Sequence, residues 1–213
     1  MNVEILASGS SGNAVVINEE ILLDCGVSFK KIEPHHKNLK LVFISHVHID
    51  HLNKSCVKKL AENRPLLRFA VGSWLVQPLL DCGVSMRNID VLLMNVEHNY
   101  KGFSLIAFPL YHDVKTAGIK LFMNGERLIY ATDTCRLDHV EAKDFDWYLI
   151  ESNYDEEEVE MEIEQAKLEG TFCYKKRVQG THLSIQQCEE WLLKNMGDDS
   201  KFIKMHQHVK KSN

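Results

Sequence analysis

The sequence predicts a single α/β domain over residues 1–213, and three observations lead to this class. Apolar runs typical of strands and amphipathic stretches typical of helices follow one another along the chain. A chain of 213 residues can bury one core and is too short for a large second domain. The composition, 45% hydrophobic and 26% charged with 4 Pro, is that of a soluble globular protein.

Composition also excludes several classes of protein. No apolar run approaches the length of a membrane span, so no membrane partner is expected. The start, Met1-Asn2-Val3-Glu4, lacks the basic and apolar regions of a secretion signal. The six cysteines contain no Cys-x-x-Cys pair, which indicates reduced thiols in a cytoplasmic protein.

The formal net charge of -5 argues against a protein that holds nucleic acid by bulk electrostatics. The charges are unevenly distributed, however. An acidic block runs from Asp155 to Glu164, and basic residues are concentrated at 175–177, 58–59 and 210–211. The total therefore leaves room for a local phosphate-binding track.

Strands and helices are predicted in both halves of the chain. In the first half the strands are 2–7, 14–24, 41–44 and 68–71, and the helices are 53–62 and 73–80, the second capped by Ser73. Glycines allow a tight reversal between the first two strands, at 9–13. In the second half the strands are 90–94, 103–108, 119–124, 127–131, 147–150 and 201–205, with an Asn124-Gly125 hairpin turn and helices at 155–168 and from 185 onward.

The stretch from Ser45 to His51 comes after an apolar strand and contains three histidines and an aspartate. His46 and His48 are two residues apart, so in an extended segment their side chains leave the same side of the backbone. Asp50 and His51 require a bend and point toward a second, neighbouring position. Imidazoles and a carboxylate suit zinc or manganese, and without thiolate spacing a closed structural zinc site is disfavoured.

Two single residues, each of which follows a later strand, are further candidate metal ligands. A single histidine such as His112, after the strand at 103–108, is more often a core or surface residue than a ligand. A carboxylate such as Asp133, after the buried strand at 127–131, is costly unless it is paired or metal-bound, although it could also cap the segment after it.

The histidine loop, together with Ala7–Asn13 and Leu22–Gly26, resembles the metallo-β-lactamase fold, and most closely its YycJ/WalJ-type branch of DNA exonucleases related to ribonuclease Z. The resemblance implies a four-layer αββα sandwich without an inserted domain and two divalent metal ions, zinc or manganese. The implied first-metal ligands are His46, His48, His112 and one oxygen of Asp133, and the second-metal ligands are Asp50, His51, His206 and the other oxygen of Asp133. If the last strand runs one pleat longer, His208 replaces His206.

The resemblance also implies the catalytic residues His182, Glu151 and Asp50. His182 is expected to donate a proton to the leaving oxygen and Glu151 to hold its tautomer, with a helix-capping context as the alternative for His182. Asp24 is expected to orient the metal loop. Relatives usually have histidine where this chain has Tyr154.

The implied activity is a 5′–3′ exonuclease that uses a metal-activated hydroxide, with DNA favoured over RNA. Expected substrate contacts are Ser10, Ser11, Asn13, Lys175, Lys176 and Arg177. An ordinary hairpin turn and a solvated loop are the alternatives for these two groups. The competing functions are a small-molecule or cyclic-nucleotide phosphodiesterase, a thioester hydrolase and a degenerate binding protein. Oligomeric state is left open.

Overall fold

The computed structural model describes residues 1–207 of the chain. The alternative ligand His208 and the basic pair 210–211 lie outside the described residues. The chain divides into two compact units, Met1–Ala107 and Phe108–Asn213. Among residues 1–207, no helix combines the length and the apolar character needed to span a bilayer.

The first unit contains a six-stranded mixed sheet whose strands follow sequence order. Its strands are Val3–Ala7 (β1), Ala14–Ile17 (β2), Ile21–Leu23 (β3), Leu41–Ile44 (β4), Arg68–Val71 (β5) and Ile89–Val91 (β6). Pairing is antiparallel from β1 to β3 and parallel from β3 to β6. β2, β3 and β4 are buried throughout, which explains their uninterrupted apolar sequences.

Three α-helices belong to this unit: Phe29–Ile32 (α1), Lys54–Asn63 (α2) and Val76–Asp81 (α3). They contribute Ile32, Leu60 and Leu79 to one apolar cluster with Val42 and Ile44 of β4. The start of α2 agrees with the prediction, because the Asn53 side chain accepts a hydrogen bond from the Cys56 amide.

A second six-stranded mixed sheet has the order β12-β11-β10-β9-β8-β7. Its strands are Glu97–Tyr100 (β7), Phe103–Tyr111 (β8), Lys115–Met123 (β9), Glu126–Ala131 (β10), Trp147–Glu151 (β11) and Lys201–Met205 (β12). β9 and β10 form an antiparallel hairpin at the predicted Asn124-Gly125 turn, where both residues have positive φ. β10, β11 and β12 are parallel neighbours.

The second unit contains the helices Glu156–Glu169 (α4), Lys175–Thr181 (α5) and Ile185–Asn195 (α6). Cys188, Trp191 and Leu192 of α6 join an apolar cluster with Tyr148 and Ile150 of β11. The amphipathic spacing predicted for α6 is therefore confirmed.

The predicted α/β class, with two mixed sheets and helices, is confirmed. Some boundaries were wrong. The strand predicted at 14–24 is two strands, because Asn18 and Glu19 adopt positive φ and reverse the chain. Ser73 does not cap a helix; it begins the 3-10 turn Ser73–Leu75, and Gly72 occupies the cap position.

Three labelled elements were missed, β7, α5 and the one-turn helix α1. β7 has the polar sequence Glu-His-Asn-Tyr, which carries no apolar alternation, and it forms by pairing with β8. The basic segment at 175–177, for which an exposed loop was considered, belongs to the short helix α5.

Candidate metal centre

In the first unit, the candidate ligands begin where two parallel strands end. Asp24 directly follows β3, and Ser45 and His46 directly follow β4. Because β3 and β4 are parallel neighbours, their carboxyl ends lie at the same edge of the sheet. The backbone at Asp24 has φ 58°, a left-handed conformation that aspartate tolerates better than most residues.

The histidine loop has the predicted local geometry. His46 Nε2 lies 3.1 Å from His48 Nδ1, so the two rings do leave the same side of the backbone. The chain then bends, since the amides of His51 and Leu52 both donate to the His48 carbonyl. His51 Nε2 lies 3.5 Å from Asp50 Oδ2. The loop thus offers two pairs of possible metal-ligand atoms, one from His46 and His48 and one from Asp50 and His51.

The Asp24 carboxylate holds this loop through hydrogen bonds. Its Oδ2 accepts from His51 Nδ1 at 2.7 Å, and its Oδ1 accepts from the amide and hydroxyl of Ser45 at 2.8 and 2.9 Å. All three residues are fully buried. A ring that donates from Nδ1 keeps its lone pair on Nε2, which is the form a metal requires.

Asn13 is fully buried and also belongs to the loop's support. Its amide nitrogen donates to His51 Nε2 at 2.8 Å and to the Gly9 carbonyl at 3.1 Å, while its oxygen accepts from the Gly9 amide. Asn13 is thus buried with its amide against His51 Nε2, and the substrate contact expected of it stays a prediction. Ser10 and Ser11 are exposed in the turn.

Position 26, two residues after Asp24, has room only for a glycine. A Cβ atom at position 26 would lie 1.7 Å from the Asp50 carbonyl oxygen. The amides of Cys25 and Asn13 bond to the carbonyls of His51 and Asp50, so this close approach fixes the loop's backbone. Any side chain at position 26 would push the loop away.

In the second unit, three neighbouring parallel strands end in candidate site residues. Glu151 is the last residue of β11, His206 directly follows β12, and Asp133 lies two residues after β10. Ligand atoms of these three residues and His182 all lie within 4.8 Å of one another. Asp133 and His206 have φ of 54° and 51°, so both sit in the left-handed region.

Glu151 and His182 form the shortest contact of this cluster. His182 Nδ1 donates to Glu151 Oε1 at 2.6 Å and lies 3.2 Å from Asp133 Oδ1. Burial of His182 lowers its pKa, but the hydrogen bonds to Asp133 and Glu151 outweigh it and raise the pKa to about 9. The other oxygen of Glu151 accepts from the Thr134 amide at 2.8 Å. At neutral pH this imidazole therefore carries a proton on both nitrogens.

His206 is held by the same carboxylates and by an asparagine. Its Nδ1 lies 3.2 Å from Glu151 Oε1 and 3.3 Å from Asp133 Oδ1. The Asn153 amide donates to the His206 carbonyl at 2.9 Å and lies 3.1 Å from Nδ1. Asn153 thus anchors a residue whose backbone is in a sparsely populated conformation.

His112 lies where β8 ends, beside the end of α5. Its Nδ1 donates to the Thr181 carbonyl at 2.8 Å, which leaves the lone pair on Nε2. Burial lowers the pKa of His112, although Asp133 and other neighbours oppose this, so the neutral ring is favoured. Asp113 lies beside it, 3.2 Å from Nε2, and also contacts Arg177 at 2.5 Å.

The remaining predicted residues lie on α5 and directly after β11. Lys175 Nζ lies 3.6 Å from Glu162, whereas Lys176 and Arg177 are exposed. Tyr154 is buried, and burial together with Glu156 and Glu151 raises the pKa of its phenol to about 12. At the position where relatives have histidine, this chain therefore has a neutral hydroxyl.

The donor sets of both units suit a divalent cation. Each consists of imidazole nitrogens and carboxylate oxygens, the mixture that zinc and manganese accept. In each set hydrogen bonds fix the orientation of the rings, as they do around metal ligands.

Three supporting groups were missed from the sequence: the Ser45 hydroxyl, the Asn153 side chain and the Thr181 carbonyl. Ser45 lies between the end of β4 and His46, and Asn153 lies two residues after Glu151 at the end of β11; this closeness to site residues is the signal that could have identified them. A backbone carbonyl carries no signal in the sequence.

Comparison with known structures supports this fold. The metallo-β-lactamase fold protein YhfI from Bacillus subtilis has a TM-score of 0.70 at 14% identity, covering 96% of this chain and 85% of its own. Human tRNase Z, short form, gives 0.68 at 14%, with coverages of 97% and 92%. A diphosphatase from the PhnP family gives 0.65 at 12%, with coverages of 96% and 86%. At such identities the likeness establishes the fold alone.

Sequence comparison gives the family. No curated protein matches the chain. The family model described as the beta-lactamase superfamily domain matches residues 19–206, which include every candidate metal ligand within residues 1–207. The chain therefore belongs to the metallo-β-lactamase superfamily and is a hydrolase of that fold.

Proposed function

We propose that this chain is a metal-dependent phosphodiesterase that degrades DNA as a 5′–3′ exonuclease, in keeping with its resemblance to the YycJ/WalJ-type branch. The observation that carries the proposal is the hydrogen-bonded pair of His182 and Glu151 next to Asp133. A phosphodiester expels an alkoxide, which needs a proton as it departs. A thioester expels a thiolate, whose pKa of about 8.5 makes that proton far less necessary.

The proposed metal ligands are those expected from the sequence. They are His46, His48, Asp50 and His51 of the first unit and His112, Asp133 and His206 of the second. Bound divalent cations would supply Lewis acidity, water activation and positive charge to such a centre. At His51 and His112 the acceptor beside Nδ1 favours the tautomer with a lone pair on Nε2, which supports these two assignments.

The protein's own residues then handle the proton. Glu151 orients His182 through Nδ1, so the proton on Nε2 is the one delivered to the leaving oxygen. His182 is 18% exposed at its side chain, which allows a substrate oxygen to reach it. Glu151 is fully buried and takes the supporting role.

The choice of nucleic acid rests on two lines of support. Two bound divalent cations would bring more positive charge than the proposed carboxylate ligands, Asp50 and Asp133, neutralise. The remaining positive charge favours an anionic substrate. The structural neighbour tRNase Z is named for an activity on RNA, which supports a polynucleotide substrate. A small phosphodiester or cyclic nucleotide is the second candidate, and the diphosphatase neighbour supports it.

The test combines metal analysis with three kinds of substrate. We expect two equivalents of zinc or manganese, hydrolysis of bis(p-nitrophenyl) phosphate, and stepwise shortening of 3′-labelled DNA that exceeds turnover of RNA. Cyclic-nucleotide turnover without DNA shortening would replace the nuclease by the second candidate. Full metal content with no hydrolysis of any phosphodiester would reject both.

A further inference from the structure

We propose that Phe172, Tyr174, Lys176 and Arg177 form a stacking platform for an unpaired base of single-stranded nucleic acid. This inference rests on the proposed phosphodiesterase function and specifies where the strand next to the reacting phosphate is held. The four residues are called the 172–177 platform below.

The first support is the exposure of its aromatic rings. Phe172 is 93% exposed and Tyr174 is 56% exposed, and Leu168 at the end of α4 is 89% exposed. Three large apolar side chains exposed within the short stretch 168–174 favour a surface that binds a partner. Aromatic rings in particular offer flat faces on which a base can stack.

The second support is the connection to the proposed catalytic residues. The platform leads into α5, and His182 is the residue that caps the end of that helix. The Thr181 carbonyl at the same end accepts from His112. A seven-residue helix is about 10 Å long at 1.5 Å per residue. That length corresponds to about three nucleotides of a stacked strand at 3.4 Å each. The platform therefore holds the strand a short distance from the reacting phosphate.

The third support is charge. Lys175 is paired with Glu162, and its Nζ lies over one face of the Tyr174 ring, 5.6 Å from the centroid, so a base would stack on the other face of Tyr174 and Lys175 is withdrawn from the phosphate contact predicted for it. Lys176 and Arg177 are exposed and closely follow the two aromatic residues in the sequence. Arg177 forms an ion pair with Asp113, and the Arg177 side chain is 76% exposed. Because water weakens such an ion pair, a phosphate can compete with Asp113 for the guanidinium.

Stacking also reconciles nucleic-acid binding with the net charge of -5. Such a chain cannot rely on many phosphate contacts, whose contribution falls steeply with salt. Base–aromatic stacking is insensitive to net charge, and it requires a base that is not paired within a duplex. Two rings with two adjacent cations therefore fit a single strand.

Binding is measured first, in metal-free protein, by fluorescence anisotropy of a labelled oligothymidylate of about 12 nucleotides. We expect Phe172→Ala and Tyr174→Ala each to weaken affinity about tenfold. Lys176→Gln should lower the salt slope by about one. Leu193→Ala, which removes an 86% exposed leucine on α6, is the matched control and should bind like wild type. Equal affinities for Phe172→Ala and Leu193→Ala would overturn the platform.

Activity then separates this inference from the proposed function. On bis(p-nitrophenyl) phosphate, which has no polynucleotide strand, Phe172→Ala should keep the wild-type rate. On single-stranded DNA its kcat/KM should fall about tenfold. If wild type shortens DNA and Phe172→Ala matches it in both binding and kcat/KM, the platform is wrong and the nuclease stands. If Phe172 governs binding but nothing is hydrolysed, the nuclease is wrong and the platform stands.

Light scattering tests the competing occupant, a second copy of the chain. We expect the same mass for wild type and Phe172→Ala. A dimer that becomes a monomer in Phe172→Ala, with oligothymidylate affinity unchanged, would show a protein interface and overturn the proposal.

Discussion

The two units support histidines in different ways. In the first, His46, His48 and His51 are close in sequence, and a single carboxylate, Asp24, braces His51 through Nδ1. In the second, His182 and His206 both contact the same two carboxylates, Asp133 and Glu151. One carboxylate per ring fixes a neutral tautomer that suits a metal ion. Around His182, the hydrogen bonds to Asp133 and Glu151 also raise the pKa and favour a proton on the ring. His51 is thus braced as a cation ligand and His182 is placed to handle a proton, whereas His206, which contacts the same two carboxylates, is also held by Asn153 and stays a proposed ligand.

The largest effect is expected from Asp133→Asn, which removes the proposed ligand charge. Asparagine keeps the shape and tolerates the left-handed backbone at this position. We expect metal content to fall and phosphodiesterase activity to drop about thousandfold or more. His48→Ala should abolish activity in the same way. Wild-type metal content and rate in Asp133→Asn would remove this residue from the ligand set.

His182→Ala should lower activity on DNA about 10²- to 10⁴-fold while metal stays bound. On bis(p-nitrophenyl) phosphate the loss should be smaller, because nitrophenolate departs without protonation. Rates on both substrates and metal content by atomic absorption check this. An equal loss on both substrates, or loss of metal, would assign His182 to metal binding rather than proton transfer.

Asp24→Asn should weaken metal affinity about 10- to 100-fold, the usual effect of losing a partner of a ligating histidine. The amide keeps the side-chain size in a fully buried site but no longer enforces the Nδ1–H tautomer of His51. Competition with a chromogenic chelator measures the affinity. Unchanged affinity would mean that Asp24 has no role in cation binding.

The pH profile sharpens the comparison further. A general acid works in its protonated form, and His182 is protonated below its raised pKa of about 9. We therefore expect kcat on DNA to decline about tenfold per pH unit above that value. In Glu151→Gln one of the two contacts that raise the pKa is lost, so the decline should begin at lower pH. If wild type and Glu151→Gln gave the same pH profile, Glu151 would have no effect on the pKa of His182.

The smallest effect is expected at the cap of α6, next to the proton-handling cluster. The Ser184 hydroxyl accepts from the Gln187 amide in a capping box. Ser184→Ala should cost about 1 kcal/mol of unfolding free energy in urea. Ser28 precedes α1 without a side-chain cap bond, so Ser28→Ala is the matched control and should change little. Equal losses in both variants would discount the capping bond.

The sequence was most informative where a local pattern determines structure. The histidine loop and the turn at Asn124-Gly125 were predictable, because side-chain alternation and positive φ depend on neighbouring residues. The ends of β10, β11 and β12 could be located but not their parallel pairing, which brings Asp133, Glu151 and His206 together. Their roles came from family resemblance.

Other features were beyond local reasoning. Asn13 looked like a loop residue available to substrate, and only tertiary packing turns its side chain inward. β7 forms because β8 is beside it, not because its own residues favour a strand. Pairing between distant segments decides both cases.

The left-handed backbone at Asp24, Asp133 and His206 constrains how this chain can vary. Valine or isoleucine at these points would lose the polar side chain and also strain the main chain, whereas asparagine or glycine would lose only the chemistry. A saturation library scored for soluble expression should thus be enriched in asparagine and glycine at all three codons. Inactive but well-folded proteins for substrate trapping are best sought among those variants.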